Sequence, residues 1–195
     1  MAKRALDIVG SGVLLVVSAP LVAILALLIK LQDGGPVLHR RRVIGLKGEF
    51  DAFKLRSMRL DADEVLRGDP VLRQEFETNF KLAKDPRVTP LGAILRKLSL
   101  DELPQLFNVL RGEMSLVGPR MITSAELEKY REAGWIFQSV KPGLTGYWQV
   151  YGRQTVSYAQ RVEMDVYYVK HQSLLLDVKI LIQTPWRVAR GAGAY

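Results

Sequence analysis

From Ile8 to Ile29 the chain runs 22 residues without a charge, and Leu, Val, Ile and Ala fill most of them. As a helix this stretch matches a hydrocarbon core of about 30 Å. It exceeds the h-region of a secretory signal, about 7–15 residues, and no convincing cleavage site follows. Lys3 and Arg4 precede the run, while Lys30 and Arg40-Arg41-Arg42 follow it, so the positive-inside bias marks both ends as cytoplasmic. Ser18-Ala19-Pro20 interrupts the run near its middle. Pro20 removes an intrahelical donor, and the Ser18 hydroxyl can donate to a freed carbonyl. A helix–break–helix that dips into one leaflet and returns explains both facts; a single crossing and a buried soluble helix are the rival readings.

Asp33-Gly34-Gly35-Pro36 is a turn signal that separates residues 1–33 from residues 34–195. Beyond it, Pro36 to His39 and Glu49 to Arg56 alternate as short strands of a hairpin, joined by a turn around Gly45 to Gly48. Residues 61–84 carry apolar positions at helical spacing, interrupted near Gly68-Asp69-Pro70. Thr89-Pro90 opens a helix through Leu98, Ser99 or Asp101 caps the next, and Glu126 to Ala133 forms another that Gly134 ends. Ser173 to Gln183 is too apolar for a free helix, yet too short and charged to span. It is predicted to be buried or to lie in the membrane interface with Trp186, Arg187 and Arg190 at headgroup depth. The predicted fold class is α+β and predominantly helical: a re-entrant membrane helix, then a small globular domain with a short β-hairpin and interfacial amphipathic helices.

Composition narrows the chemistry. At 195 residues there is room for one ordinary domain with an appendage. A net charge of +8 favours a polyanionic partner: nucleic acid, an anionic membrane surface or a phosphorylated substrate. The absence of cysteine excludes disulfides, thiolate metal sites and cysteine nucleophiles, and two histidines leave little room for a histidine-rich metal centre.

Against that background Asp101 and Glu102 stand out. They sit side by side in the apolar stretch Ile94 to Phe107. Adjacent carboxylates repel each other and resist desolvation, so such a pair is satisfied by a metal, by cations or by a helix terminus. A helix start there can hold a carboxylate nucleophile, a magnesium ion and its diphosphate ligand. By residue type alone, a helix cap plus a surface acid is the commoner use. Lys54, Arg56, Arg96, Arg120 and Arg153 lie in or beside segments punctuated by glycine or proline, where forked guanidinium donors can receive phosphate oxygens. Each alone would ordinarily be a solvated side chain. His171 reads as structural.

Several motifs occur together and in order: Lys3-Arg4-Ala5-Leu6-Asp7, the proline-broken apolar helix, Phe53 to Met58, Leu98 to Leu110, Gly112 to Arg120 with its Gly118-Pro119-Arg120, Lys141 to Gly146, and Tyr167 to Lys170. In this combination the chain resembles the monotopic polyprenyl-phosphate phosphoglycosyl transferases of the bacterial sugar transferase family, over nearly its whole length. The resemblance implies transfer of a sugar 1-phosphate from a UDP-sugar to undecaprenyl phosphate at the cytoplasmic face of the bacterial inner membrane, with Mg2+. It implies Asp101 as nucleophile, Glu102 as metal-holding partner, and Lys54, Arg56, Arg96, Gly118, Pro119, Arg120 and Arg153 around the substrate. It also implies a re-entrant helix in residues 1–33, a catalytic domain in residues 34–195, no nucleic-acid partner, and a chain that is a minimal catalytic form; a homodimer stays open.

Departures from the common pattern are Met121, Tyr147-Trp148-Gln149-Val150-Tyr151 and His171-Gln172. They bear on loop shape and sugar preference, and the Trp148 form and the ending Arg190 to Tyr195 resemble members that hand over galactose or glucose 1-phosphate. Two alternatives stand beside this reading: a ternary-complex mechanism in which Asp101 is only base or ligand, and a non-catalytic basic module anchored to anionic lipid, which leaves the acidic pair unexplained.

Overall fold

The structure is a computed structural model that describes residues 1–80, 82, 84–152 and 156–189. Arg153, Arg190 and the ending through Tyr195 therefore lie outside the described residues. Helix α1 runs unbroken over Ala2–Asp33 and contains Pro20. The expected helix–break–helix is thus helical throughout, with a contour of roughly 48 Å and no interruption at Pro20. Ser18 Oγ donates to the Leu15 carbonyl at 3.5 Å, within the turn that Pro20 weakens. Only 11% of its most apolar 18-residue stretch is buried. Val9, Val13, Val16, Val17, Ile24 and Leu31 are exposed, an apolar surface with no protein to cover it.

Both ends of α1 nevertheless hold the same domain. Near its start, Lys3 Nζ donates to the Val117 carbonyl at 2.9 Å and to Asp177 Oδ2 at 2.7 Å. Arg4 donates to the carbonyls of Val109 and Leu110, both at 2.7 Å. The buried Asp7 Oδ1 accepts from Ser115 Oγ and the Leu116 N–H, both at 2.9 Å. Bonds to a charged group contribute about 1.5–3 kcal/mol each, so this clasp outweighs the fraying of an ordinary helix end. Toward its finish, Leu25 and Ile29 pack on Leu55 and Leu95, and Asp33 pairs with Arg56.

The β-hairpin pairs β1 (Leu38–Gly45) with β2 (Gly48–Leu55), in register from Leu38 opposite Leu55 to Gly45 opposite Gly48. Gly48 has φ 104°, which explains a glycine at the turn. Helices α2 (Ala62–Gly68) and α3 (Pro70–Asn79) follow, and Asp69 caps α3 by accepting from Val71 and Leu72. Helix α4 (Pro90–Lys97) starts at Thr89, whose hydroxyl accepts from Gly92. Next come a 3-10 turn, Leu100–Glu102, and α5 (Gln105–Arg111).

A second, parallel sheet pairs β3 (Ser115–Val117) with β4 (Gly143–Thr145). Between them lie α6 (Ser124–Leu127), a 3-10 stretch Glu128–Ala133 and α7 (Gly134–Gln138). The expected helix over Glu126 to Ala133 is corrected accordingly: Gly134 opens a helix instead of ending one. Helices α8 (Tyr147–Tyr151), α9 (Tyr158–Lys170) and α10 (Leu174–Ala189) complete the domain. The main core gathers Phe50, Ala52, Leu106, Val109, Met114, Leu116, Val150, Tyr168 and Ile180 from these elements. Helix α10 is amphipathic: Asp177 and Ile180 are buried, while Leu174, Leu175, Val178 and Ile182 face outward beside Lys179, the pattern of a helix in a membrane interface.

Candidate active site

Three local features bring the acidic pair over β2. Asn108 of α5, fully buried, donates from Nδ2 to the Asp51 carbonyl at 2.8 Å and accepts from the Phe53 N–H at 3.1 Å. Its amide completes the open edge of β2 as a neighbouring strand would, and fixes α5 there. Gly92 packs α4 against Ser57 so closely that an added Cβ would stand 1.9 Å from the Ser57 carbonyl oxygen. Arg96 Nε then reaches Ser57 Oγ at 2.9 Å. Finally Ser99 takes φ 52°, a left-handed conformation that reverses the chain after α4 and costs a non-glycine residue about 1 kcal/mol.

The pair follows at once. Asp101 is buried and Glu102 is half-buried. Neither Ser99 nor Asp101 caps a helix by its side chain, which corrects the capping expected from sequence. The pair instead occupies a 3-10 turn ahead of α5, with Pro104 at the position preceding that helix. Lys54 Nζ of β2 donates to Glu102 Oε1 at 2.7 Å and lies 3.9 Å from Asp101 Oδ2.

The two carboxyls are driven apart. Burial pushes the Asp101 carboxyl above the ordinary aspartate range, and the Glu102 charge adds to this; Lys54, Arg96 and Arg120 pull the other way without cancelling it. Burial acts on Glu102 too, but Lys54 and Arg120, together with Arg41, outweigh it and hold that carboxyl down. On acidification the proton goes to Asp101 first.

Lys54, Arg96 and Arg120 are thus brought to the pair as expected. Arg56 is not: its guanidinium is committed to Asp33 and, at 2.7 Å, to the Pro36 carbonyl, so it locks the end of α1 to the hairpin. Gly118 and Pro119 shape the backbone that carries Arg120. A Cβ on Gly118 would fall 2.5 Å from the Lys141 carbonyl oxygen, and Pro119 accepts from the Gly143 N–H at 2.8 Å.

Sequence reasoning missed Arg41, which it counted only as a topogenic charge. Arg41 pairs with Glu126 at 3.0 Å and adds to the field on Glu102. Its position in β1, on the strand paired with the one bearing Lys54, was the available signal. His171 follows the structural reading: it ends α9 and stacks on Tyr167 at 4.1 Å.

Among the described residues no cluster of three or more His, Asp or Glu side chains forms around a common point. Two carboxylates without further protein ligands suit Mg2+, which is commonly held by one or two carboxylates together with substrate phosphates and water. The arrangement sets a buried carboxyl that resists its charge beside one held in its ionised form by several cations facing both.

The family model for bacterial sugar transferases matches residues 1–191. The chain is 47% identical over 198 residues to an undecaprenyl-phosphate galactose phosphotransferase of Salmonella typhimurium, covering 99% of this chain and 41% of that protein. It is 46% identical to the exopolysaccharide production protein ExoY of Rhizobium meliloti, covering 100% and 88%. To the UDP-glucose:undecaprenyl-phosphate glucose-1-phosphate transferase of Escherichia coli it is 37% identical, covering 100% and 42%. The chain therefore spans about two-fifths of the Salmonella and Escherichia relatives and most of ExoY.

Proposed function

The chain belongs to the bacterial sugar transferase family, and on that premise we propose that it transfers a hexose 1-phosphate from a UDP-sugar, UDP-galactose or UDP-glucose, to undecaprenyl phosphate. This is the first membrane step in assembling a glycan or exopolysaccharide. The observation that carries the reading is the buried Asp101 beside an ionised Glu102, faced by Lys54, Arg96 and Arg120 and attached to a helix whose apolar surface is bare. The relatives' names supply the donor and acceptor classes.

Asp101 carboxylate attacks the β-phosphorus of the donor, the bond from that phosphorus to the bridging oxygen breaks, and UMP leaves with the electron pair. The sugar phosphate is then an acyl phosphate on Asp101. A phosphate oxygen of undecaprenyl phosphate attacks the same phosphorus and frees the carboxylate, giving the lipid diphosphate sugar. Two successive displacements let a water-soluble donor and a lipid acceptor use one site in turn. Lys54, Arg96 and Arg120 hold and neutralise phosphate oxygens. Asp101 and Glu102 would hold Mg2+, which supplies charge neutralisation for the diphosphate and its leaving group. UMP release from UDP-galactose or UDP-glucose, dependent on undecaprenyl phosphate for sustained turnover and lost on adding EDTA, is the expected result; no release from any UDP-hexose with Mg2+ refutes the reading.

The membrane helix is read as re-entrant, with the domain on the cytoplasmic face. Lys3, Arg4 and Asp7 at one end and Ile29 and Asp33 at the other hold a single domain, and between them Pro20 weakens the helix where a bend would let it enter and leave by one face. Single cysteines at residues 2 and 40 are expected to react with an impermeant maleimide from the same face of sealed vesicles. Labelling from opposite faces would establish a crossing.

A further inference from the structure

Next to the acidic pair lies a polar site that the reaction above does not use. Arg161 of α9 packs its guanidinium between two aromatic rings, 5.2 Å from the centroid of Trp148 and 5.1 Å from that of Tyr158. Its Nε and Nη2 are buried, yet neither has a hydrogen-bond partner. These two nitrogens form the edge of the fork that Arg59 and Arg87 turn on Asp61 and Asp85, in pairs of bonds at 2.7–2.8 Å. In Arg161 that edge is vacant. Trp148 Nε1 and Asp165 Oδ1 are likewise buried without a partner. Asp165 lies one helical turn beyond Arg161, its other oxygen accepting from Tyr130 at 2.8 Å.

A buried guanidinium edge that meets no acceptor is costly to keep unless something else occupies it. The site adjoins the reaction centre: Arg120 lies 5.9 Å from the centroid of the same Trp148 ring and acts on both Asp101 and Glu102. Arg41 is close enough to act on both Glu102 and Arg161. The unmet groups also define what fits. They comprise three donors and one acceptor, and burial pushes the Asp165 carboxyl up only to about 6, so it accepts at neutral pH. A phosphate offers acceptors alone and would set a second anion beside Asp165. Vicinal hydroxyls accept from N–H groups and donate to a carboxylate.

We propose that Arg161, Trp148 and Asp165 bind the hydroxyl groups of the donor's hexose and set which hexose is transferred. The assignment rests on the reaction proposed above. Trp148 and Arg161 are each half-buried as whole residues, so their covered polar edges stand close to the surface.

The test compares Arg161→Gln and Trp148→Phe with the wild type, measuring kcat/KM for UMP release from UDP-galactose and UDP-glucose and inhibition by UMP. Arg161→Gln is expected to lower kcat/KM for the preferred donor roughly 100-fold and to shrink discrimination between the epimers to about threefold or less. Trp148→Phe keeps a flanking ring and loses only the N–H; a loss of about 10-fold with the same narrowing is expected. UMP inhibition should stay within about twofold of wild type in both. Undiminished discrimination in the folded variants overturns the proposal, and Trp148→Phe decides alone if Arg161→Gln does not fold. A parallel loss of UMP affinity also overturns it and assigns the site to the uracil ring. If the wild type releases no UMP from either donor, the reaction itself is misread and this assignment falls with it; a working wild type with unaltered variants refutes the assignment alone.

Discussion

Asp101→Asn is expected to lower turnover by at least roughly 1,000-fold while leaving the fold as stable as the wild type, or slightly more so. The two halves of that outcome have one cause. Asp101 is an acid whose surroundings disfavour its charge: it is buried, and Glu102 stands beside it. The neutral carboxamide fills the same space, removes the repulsion and cannot attack phosphorus. Lost activity with an unchanged or raised Tm is what a destabilised nucleophile gives and what a structural residue does not. Incubating the wild type with a donor labelled in the sugar phosphate, without lipid acceptor, should leave the label on the protein; Asp101→Asn should retain none. If the wild type also retains none, direct transfer in a ternary complex becomes the better account.

Lys54→Met should be the next most damaging change. Lys54 lies within 4 Å of both carboxylates and is the strongest influence opposing protonation of Asp101. Removing one partner from a largely buried pair generally costs about 3–5 kcal/mol, because the other charge stays behind. Turnover should fall roughly 100-fold or more, since a cation facing the phosphates is lost as well. The pH profile separates this from simple misfolding. The nucleophile must be ionised and its pKa is raised, so activity falls as pH drops, beginning above the usual aspartate range. Without Lys54 the same limb should move to still higher pH. An acid limb that stays in place would mean that Lys54 does not govern the nucleophile.

Much of this was legible in the sequence because the signals were local. Thr89-Pro90 marks a helix start through chemistry confined to a few residues, and α4 begins there, while Gly68-Asp69-Pro70 marks the interruption that separates α2 from α3. Gly45 and Gly48 marked the hairpin turn in the same way. What was not legible depended on partners distant in the chain. Arg56 looked like a phosphate ligand because its motif neighbours Lys54, but β2 ends at Leu55, so strand alternation no longer places Arg56 with Lys54, and it meets Asp33 at the end of α1 instead. The capping role expected for Ser99 or Asp101 failed because Ser99 adopts a left-handed turn and a 3-10 turn intervenes before α5. Arg161 carried no local signal: a basic residue in a helix is normally wet, and only the packing of α8 on α9 encloses it.

The clasp on the first turns of α1 also fixes an order of events on the ribosome. Lys3, Arg4 and Asp7 find partners between 105 and 174 residues further along the chain. At about 5–20 residues per second, those partners are made roughly 5–35 s after the residues they will bind. Through that interval the first turns of α1 lack the partners that later hold them. The last helix then supplies Asp177, so the clasp on α1 closes only after α10 has been made.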